Sequence, residues 1–135
     1  FSKYDEQITK LGLKDRIINH VRYVPDNEVP LFFSSADVCI LPYRSATQSG
    51  ITSISYHFDL PMIATDTGGL RETILHKATG LIVSRPDPEL IAAAVREYFE
   101  KDLKPSFTEG IRSMKLKMSW NSLAKAITDF SQTLA

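Results

Sequence analysis

Hydrophobic residues recur along the chain at two spacings, one helical and one strand-like, and the two alternate from segment to segment. Short apolar runs rich in β-branched residues predict four strands, at residues 16–23, 37–41, 62–65 and 81–83. Apolar positions at helical spacing predict helices at residues 2–11, 27–35, 70–75, 106–118 and 120–134, and two more that follow Gly50 and Asp87. Asp87 and Pro88 suit the N-cap and the first position of their helix.

Strands that alternate with helices predict a layered α/β fold, with a mostly parallel sheet and helices on both of its faces. The runs at residues 38–41 and 62–65 are almost continuously apolar, which is typical of strands buried on both faces of a parallel sheet. Such sheets bind ligands at the carboxyl ends of their strands. Two loops rich in small and polar residues lie at predicted strand ends, at residues 42–50 and 66–69.

Composition narrows the class of protein. The 135 residues are 43% hydrophobic and 24% charged, as in an ordinary soluble domain, and 16 basic residues balance 16 acidic ones. Zero net charge argues against nucleic-acid binding and against a disordered chain. A single cysteine, Cys39, excludes an intrachain disulfide and a cysteine metal site, and it suits a reducing cytoplasm. No apolar run approaches the roughly 18 residues of a membrane span.

The start of the chain bears on its domain organisation. It begins at Phe1 instead of a methionine, and a helical pattern runs from the second residue. We therefore expect residues 1–135 to form a single domain that is truncated at its N-terminus and cut from a longer protein.

The loop at residues 42–50 has the composition of a phosphate site. Its last four residues lie between a predicted strand and a predicted helix, and they are Thr47, Gln48, Ser49 and Gly50. N–H groups at a helix start carry partial positive charge, a hydroxyl can add a donor, and glycine allows close approach to the backbone. The alternative is a plain N-cap followed by a turn glycine, and the local sequence leaves both interpretations open.

The turn at residues 66–69 also has two interpretations. Gly68 and Gly69 form either the backbone wall of a sugar or phosphate site or a tight turn that needs positive φ. Glu72 follows closely and could accept a hydrogen bond from a ligand hydroxyl, although a glutamate there more often complements a helix N-terminus.

The remaining chemistry-bearing residues form no constellation. The three histidines, His20, His57 and His76, lack metal-ligand spacing. Cys39 is expected to be an inert residue inside a strand, and Trp120 is expected to anchor the last helix. The chain contains no G-x-S-x-G, no Walker A and no G-x-G-x-x-G motif.

Six short segments occur in an order that is more specific than any one of them. They are VRYVP at 21–25, ADVCILP at 36–42, LPMIAT at 60–65, GGLRE at 68–72, TGLIV at 79–83 and DPEL at 87–90. Over about residues 8–130 the chain resembles the C-terminal domain of GT-B glycosyltransferases, most closely the retaining glycosyl transferases group 1, family 4. This resemblance implies a Rossmann-like three-layer sandwich that forms one half of a GT-B fold.

The resemblance also implies a reaction. The domain would bind a nucleoside-diphosphate sugar, and an N-terminal domain absent here would bind the acceptor. The sugar would move to an acceptor hydroxyl with retention, without a metal or other cofactor, in polysaccharide or glycoconjugate assembly. The protein would be cytoplasmic, and the absent domain could associate peripherally with the inner face of the membrane. The fragment would be inactive alone.

Donor-binding positions follow from the same resemblance. The nucleobase would rest near residues 23–25, the 42–50 loop would contact the phosphates and sugar, and the two glycines of the turn would border the pocket. The implied donor-binding residues are Tyr23, Val24, Arg44, Thr47, Gln48, Ser49, Gly50, Gly68 and Gly69. No catalytic residue is assigned.

The chain departs from the family at important positions. Ala46 and Ile54 stand where two glutamates usually bind the transferred sugar and the ribose, so the chain belongs to a divergent or an inactive branch. Asp59 replaces a frequent glycine. The family's diphosphate-binding Arg and Lys lie upstream of this chain, and Arg44 is the only cation in the loop. Arg44 either assists in binding the phosphates or is a solvated surface residue.

Two other functions compete with the transferase. The missing glutamates favour a catalytically inactive glycosyltransferase-like binding module. An unrelated α/β domain is the second rival. A receiver would need clustered aspartates at the first strand end, and a dehydrogenase would need the glycine fingerprint; the chain has neither.

Overall fold

A three-stranded parallel sheet forms the centre of the fold. The computed structural model describes residues 2–47 and 49–133. The strands lie in the order β1 (Cys39–Leu41), β2 (Met62–Thr65) and β3 (Gly80–Val83), and Ile63 of β2 pairs with Ile40 and Leu81. The helices of this part of the chain are α1 (Ser2–Lys10), α2 (Val29–Ser35), α3 (Gly50–His57), α4 (Leu70–Thr73), α5 (Pro88–Glu100), α6 (Lys104–Lys117) and α7 (Trp120–Thr133).

The side chains of β2 are buried on both faces of the sheet. Successive side chains of a strand point to opposite faces, and they divide the core into two clusters. One cluster contains Leu41, Tyr56, Met62, Ala64, Leu70, Ile74 and Ile111. The other contains Ile63, Leu81, Ala94, Tyr98 and Phe107. The predicted parallel sheet with helices on both faces is therefore confirmed.

Local signals place α5 as the sequence predicts. Asp87 is its N-cap, and its Oδ1 accepts hydrogen bonds from the N–H groups of Glu89 at 3.0 Å and Leu90 at 3.2 Å. These bonds, with that from Leu90 the strongest influence, lower the pKa of Asp87 because they favour the charged carboxylate.

The C-terminal end of α3 is fastened to α6 through Asp59. Asp59 has φ 55°, in the left-handed region. This conformation explains why the position that Asp59 occupies is frequently glycine in the resembled family. Its carboxylate accepts hydrogen bonds from Arg112 Nε and Lys115 Nζ, both at 2.8 Å. Partial desolvation acts to raise the pKa of Asp59, but the bonds and charges of Lys115 and Arg112 outweigh it and the pKa is lowered.

Residues 16–23 do not form the predicted strand. They are irregular, and apolar side chains in the segment lie in solvent, with Ile18 83% and Val21 65% exposed. A strand is stable only beside a pairing partner, and none of the described strands pairs with this segment. β1 is itself an edge strand, so Ile40 is 40% exposed rather than buried on both faces.

The last helix forms where it was predicted, but it does not pack as expected. Trp120 is 85% exposed, so the predicted anchor role is wrong, and no described residue of α7 is buried. The chain exposes 9887 Å², against about 7,000 Å² for a compact protein of its mass. The core therefore lies within the layers around the sheet, and α7 stands outside it. None of the helices in the described ranges is long and apolar enough to cross a bilayer.

Candidate functional site

Two loops meet at one edge of the sheet. Because β1 and β2 are parallel, the loop that follows Leu41 and the turn that follows Thr65 leave the sheet on the same side. Thr65 Oγ1 donates a hydrogen bond to the backbone oxygen of Tyr43 at 2.6 Å. The sequence placed both loops at this edge, and the structure joins them directly.

Gly68 and Gly69 hold the turn against the 42–50 loop. The N–H of Gly69 donates to the carbonyl of Thr47 at 2.8 Å. Gly68 has φ 55°, and a Cβ there would lie 1.8 Å from the carbonyl oxygen of Ala46. Gly68 is thus required by its conformation and by the close approach of the loop, and the tight-turn interpretation accounts for it. Gly69, at φ −80°, needs no special conformation.

The start of α3 is formed by Ser49 and Gly50. Ser49 occupies the N-cap position with an extended backbone, but its side chain makes no cap hydrogen bond. Its carbonyl instead accepts from Thr52, at 3.1 Å from the N–H and 2.6 Å from Oγ1. A Cβ on Gly50 would meet no heavy atom within 4 Å, and the φ of Gly50 is outside the left-handed region. Neither a side-chain cap nor an unusual turn angle explains these two residues.

The other predicted donor residues are distributed unevenly. Arg44 is exposed and makes no ion pair with any part of the chain that the structure describes, and Thr47 is exposed beside the turn. Gln48 lies outside the described residues. Tyr23 is 82% exposed and Val24 is half-buried, and no hydrogen bond across the described ranges links either of them to the two loops.

Asp66 and His76 have structural partners. Asp66, which begins the turn, forms an ion pair with Arg71 of α4, a link that the sequence analysis did not identify. His76 Nδ1 accepts a hydrogen bond from the N–H of Ile82 at 3.0 Å. Desolvation raises the pKa of the Cys39 thiol against a smaller lowering by Ser55. Within residues 2–47 and 49–133, no three His, Cys, Asp or Glu side chains cluster so as to hold a metal ion.

Comparison with known proteins identifies the family. The profile of the glycosyl transferases group 1 family matches residues 2–101. The chain belongs to this family. It is 27% identical to a GDP-mannose-dependent alpha-(1-6)-phosphatidylinositol monomannoside mannosyltransferase of Mycobacterium tuberculosis, over 94% of this chain and 36% of that protein. The chain thus spans about a third of the length of this relative.

Solved structures share the fold. HepE of Anabaena in complex with UDP aligns with a TM-score of 0.78 at 15% identity, over 98% of this chain and 36% of that one. The C-terminal domain of a glycosyl transferase group 1 protein, LpcC of Francisella tularensis, aligns with a TM-score of 0.76 at 16% identity, over 87% and 60%. These similarities confirm the expected Rossmann-like α/β fold and the resemblance to GT-B glycosyltransferases.

Proposed function

We propose that this chain is the donor-binding part of a retaining glycosyltransferase. It binds a nucleoside-diphosphate sugar at the carboxyl edge of the sheet, and an acceptor domain outside residues 1–135 supplies the other wall of the cleft. The reaction transfers the sugar to an acceptor hydroxyl in polysaccharide or glycoconjugate assembly and needs no metal. We place the protein in the cytoplasm, with any contact to the inner membrane face made through the acceptor domain.

The observation that carries this proposal is that the start of α3 has a hydroxyl without a cap hydrogen bond and an open backbone position. The turn holds Ala46 and Thr47 of the 42–50 loop through Gly68 and Gly69, close in sequence to the start of α3. The Ser49 hydroxyl makes no cap hydrogen bond and Gly50 faces open space, which suits close approach of an anion. The related fold of HepE, solved with UDP and with UDP-glucose, supports a nucleotide sugar as the ligand.

The chemistry of the site is electrostatic. When the bond to the sugar breaks, negative charge develops on the departing nucleoside diphosphate. Fixed N–H groups at the start of α3 stabilise that charge without reorganising, and the exposed guanidinium of Arg44 adds a mobile cation. The other groups at this edge donate hydrogen bonds or shape the pocket.

A second function is favoured by Ala46 and Ile54. Neither can accept a hydrogen bond from a sugar or ribose hydroxyl through its side chain, as the glutamates of the family do. An inactive binding module with the same nucleotide site is therefore the alternative. Sugar transfer or donor hydrolysis by the complete protein that contains this chain separates the two, because the module would show neither.

Titration of the isolated chain tests nucleotide binding. With one wall of the cleft, we expect UDP or GDP to bind with a dissociation constant of about 1 mM. Amide resonances of residues 47–51 and of Gly68 and Gly69 should shift, whereas those near Lys101, at the far end of α5, should not. Absence of shifts at the two loops at ligand concentrations above 10 mM contradicts the proposed site. Sub-micromolar binding contradicts the requirement for a second wall.

A further inference from the structure

Among the described residues, the 42–50 loop and the turn with α4 hold four charged residues. Asp66 begins the turn, Arg71 and Glu72 follow in α4, and Arg44 lies in the 42–50 loop. Asp66 and Arg71 are joined as an ion pair, with side chains 35% and 66% exposed. The four charges sum to zero while Arg71 is present, and to one negative charge without it.

The turn that begins at Asp66 forms one border of the 42–50 loop, which leads to the proposed phosphate site. The residue before it, Thr65, bonds Tyr43, and Gly69 of the same turn bonds Thr47, only three residues before α3 begins at Gly50. An unneutralised carboxylate at this border would repel a diphosphate. An ion pair as exposed as this one adds little to folding stability. Its main effect is therefore to neutralise the charge of the Asp66 carboxylate.

We propose that Arg71 acts on the donor through Asp66, by neutralising this carboxylate so that a nucleoside diphosphate can bind at the start of α3. Arg71 is a positioning residue in this sense, because it contacts Asp66 and not the ligand. The inference rests on the proposed function and adds an electrostatic determinant to the same site. Its distinctive consequence is that the two members of one ion pair have opposite effects on diphosphate binding.

Charge-neutral variants measure this effect. Arg71→Gln, Asp66→Asn and the double variant are titrated with UDP and GDP by following the amides of residues 47–51. Arg71→Gln should weaken binding about threefold to tenfold, Asp66→Asn should strengthen it by a similar factor, and the double variant should bind like the wild type. The single effects should shrink at higher salt, since these charges are exposed.

Lys101→Gln is the matched control. It also removes one positive charge from an exposed ion pair, that with Glu97, whose N···O distance is 2.8 Å. α5 starts just beyond β3 and is 13 residues long, so Lys101 lies about 20 Å along the helix from the edge that carries the loops. Its UDP affinity should equal that of the wild type. Far-UV circular dichroism of every variant checks that the fold is retained.

Each outcome is decisive. If Arg71→Gln and Asp66→Asn both weaken binding, the pair acts by holding the turn and the inference is wrong. If the wild type binds at the two loops and Arg71→Gln binds equally well, the inference is wrong while the proposed function stands. If the wild type shows no binding of UDP or GDP at these loops, the proposed function and the inference both fail.

Discussion

Replacing Gly50 with alanine separates a ligand-imposed glycine from a glycine required by the fold. Gly50 is the first residue of α3, its φ lies outside the left-handed region, and its Cβ position has no heavy atom within 4 Å. The protein itself therefore tolerates a methyl group here. If donor phosphate approaches the backbone at this point, the methyl group meets the ligand instead.

The magnitude for folding follows from this open environment. Gly50→Ala restricts the unfolded chain without strain in the folded one, so stability should rise by about 0.4–1 kcal/mol. Gly68→Ala is the matched contrast, because its Cβ would lie 1.8 Å from the Ala46 carbonyl oxygen at φ 55°. The φ alone costs about 1–2 kcal/mol, and displacement of the loop adds to it. The same chemical change thus has opposite signs at the two glycines.

Urea unfolding followed by far-UV circular dichroism measures these stabilities, since the exposed Trp120 is a poor reporter of the core. UDP titration of the folded Gly50→Ala chain should show about tenfold weaker binding. Transfer by the complete enzyme should fall about ten- to a thousandfold, the scale of a lost preorganised contact. Ser49→Ala should also weaken binding, with stability changed by less than about 0.5 kcal/mol because Ser49 makes no cap hydrogen bond.

Two results would refute this reasoning. A Gly50→Ala chain that loses more than about 1 kcal/mol of stability would mean that the backbone, not the ligand, requires glycine. A folded Gly50→Ala chain that binds UDP as the wild type does would mean that phosphate does not approach this helix start. The second result would leave the fold intact and remove the main support for the proposed donor site.

Two further predictions concern the stability of the fold. Asp59→Asn keeps a residue that tolerates positive φ but removes the charge paired with Arg112 and Lys115, so the melting temperature at neutral pH should fall by about 2–5 °C. Since the pKa of Asp59 is lowered from 3.8, this stabilisation is fully present only well above 3.8 and disappears as the pH falls through the lowered pKa; a difference that persists in strong acid contradicts it. Trp120→Ser should change the free energy of unfolding by less than about 0.5 kcal/mol, because the indole is 85% exposed, and a loss of several kcal/mol would restore the anchor role.

Local signals explain which elements could be predicted from the sequence. The run at residues 62–65 consists of three apolar residues and a threonine, and the structure buries all four residues in the central strand. The start of α5 is fixed by Asp87 and Pro88, whose cap chemistry involves only the next few residues. In both cases the determining contacts are near in sequence or follow from hydrophobicity alone.

Long-range partners explain the failures. Residues 16–23 have the composition of a strand, but a strand is stable only when it is paired, and none of the described strands pairs with them. Trp120 is a large apolar residue of the kind that often packs a helix against the core, but no described element covers it. The contact between Gly68 and Ala46 likewise could not be predicted from the sequence, because glycines in a turn do not reveal which distant carbonyl approaches them.

The absent glutamates bear on recognition of the sugar more than on recognition of the phosphates. Carboxylates accept hydrogen bonds from hydroxyl groups and repel phosphate oxygens, so Ala46 and Ile54 remove hydroxyl acceptors without removing any phosphate donor. The start of α3 and the Arg44 cation are unaffected by this loss. Nucleotide binding is therefore expected of an active transferase and of an inactive module alike. The two differ where the sugar must be held in line for transfer, so turnover by the complete protein, and not nucleotide affinity, is the measurement that decides between them.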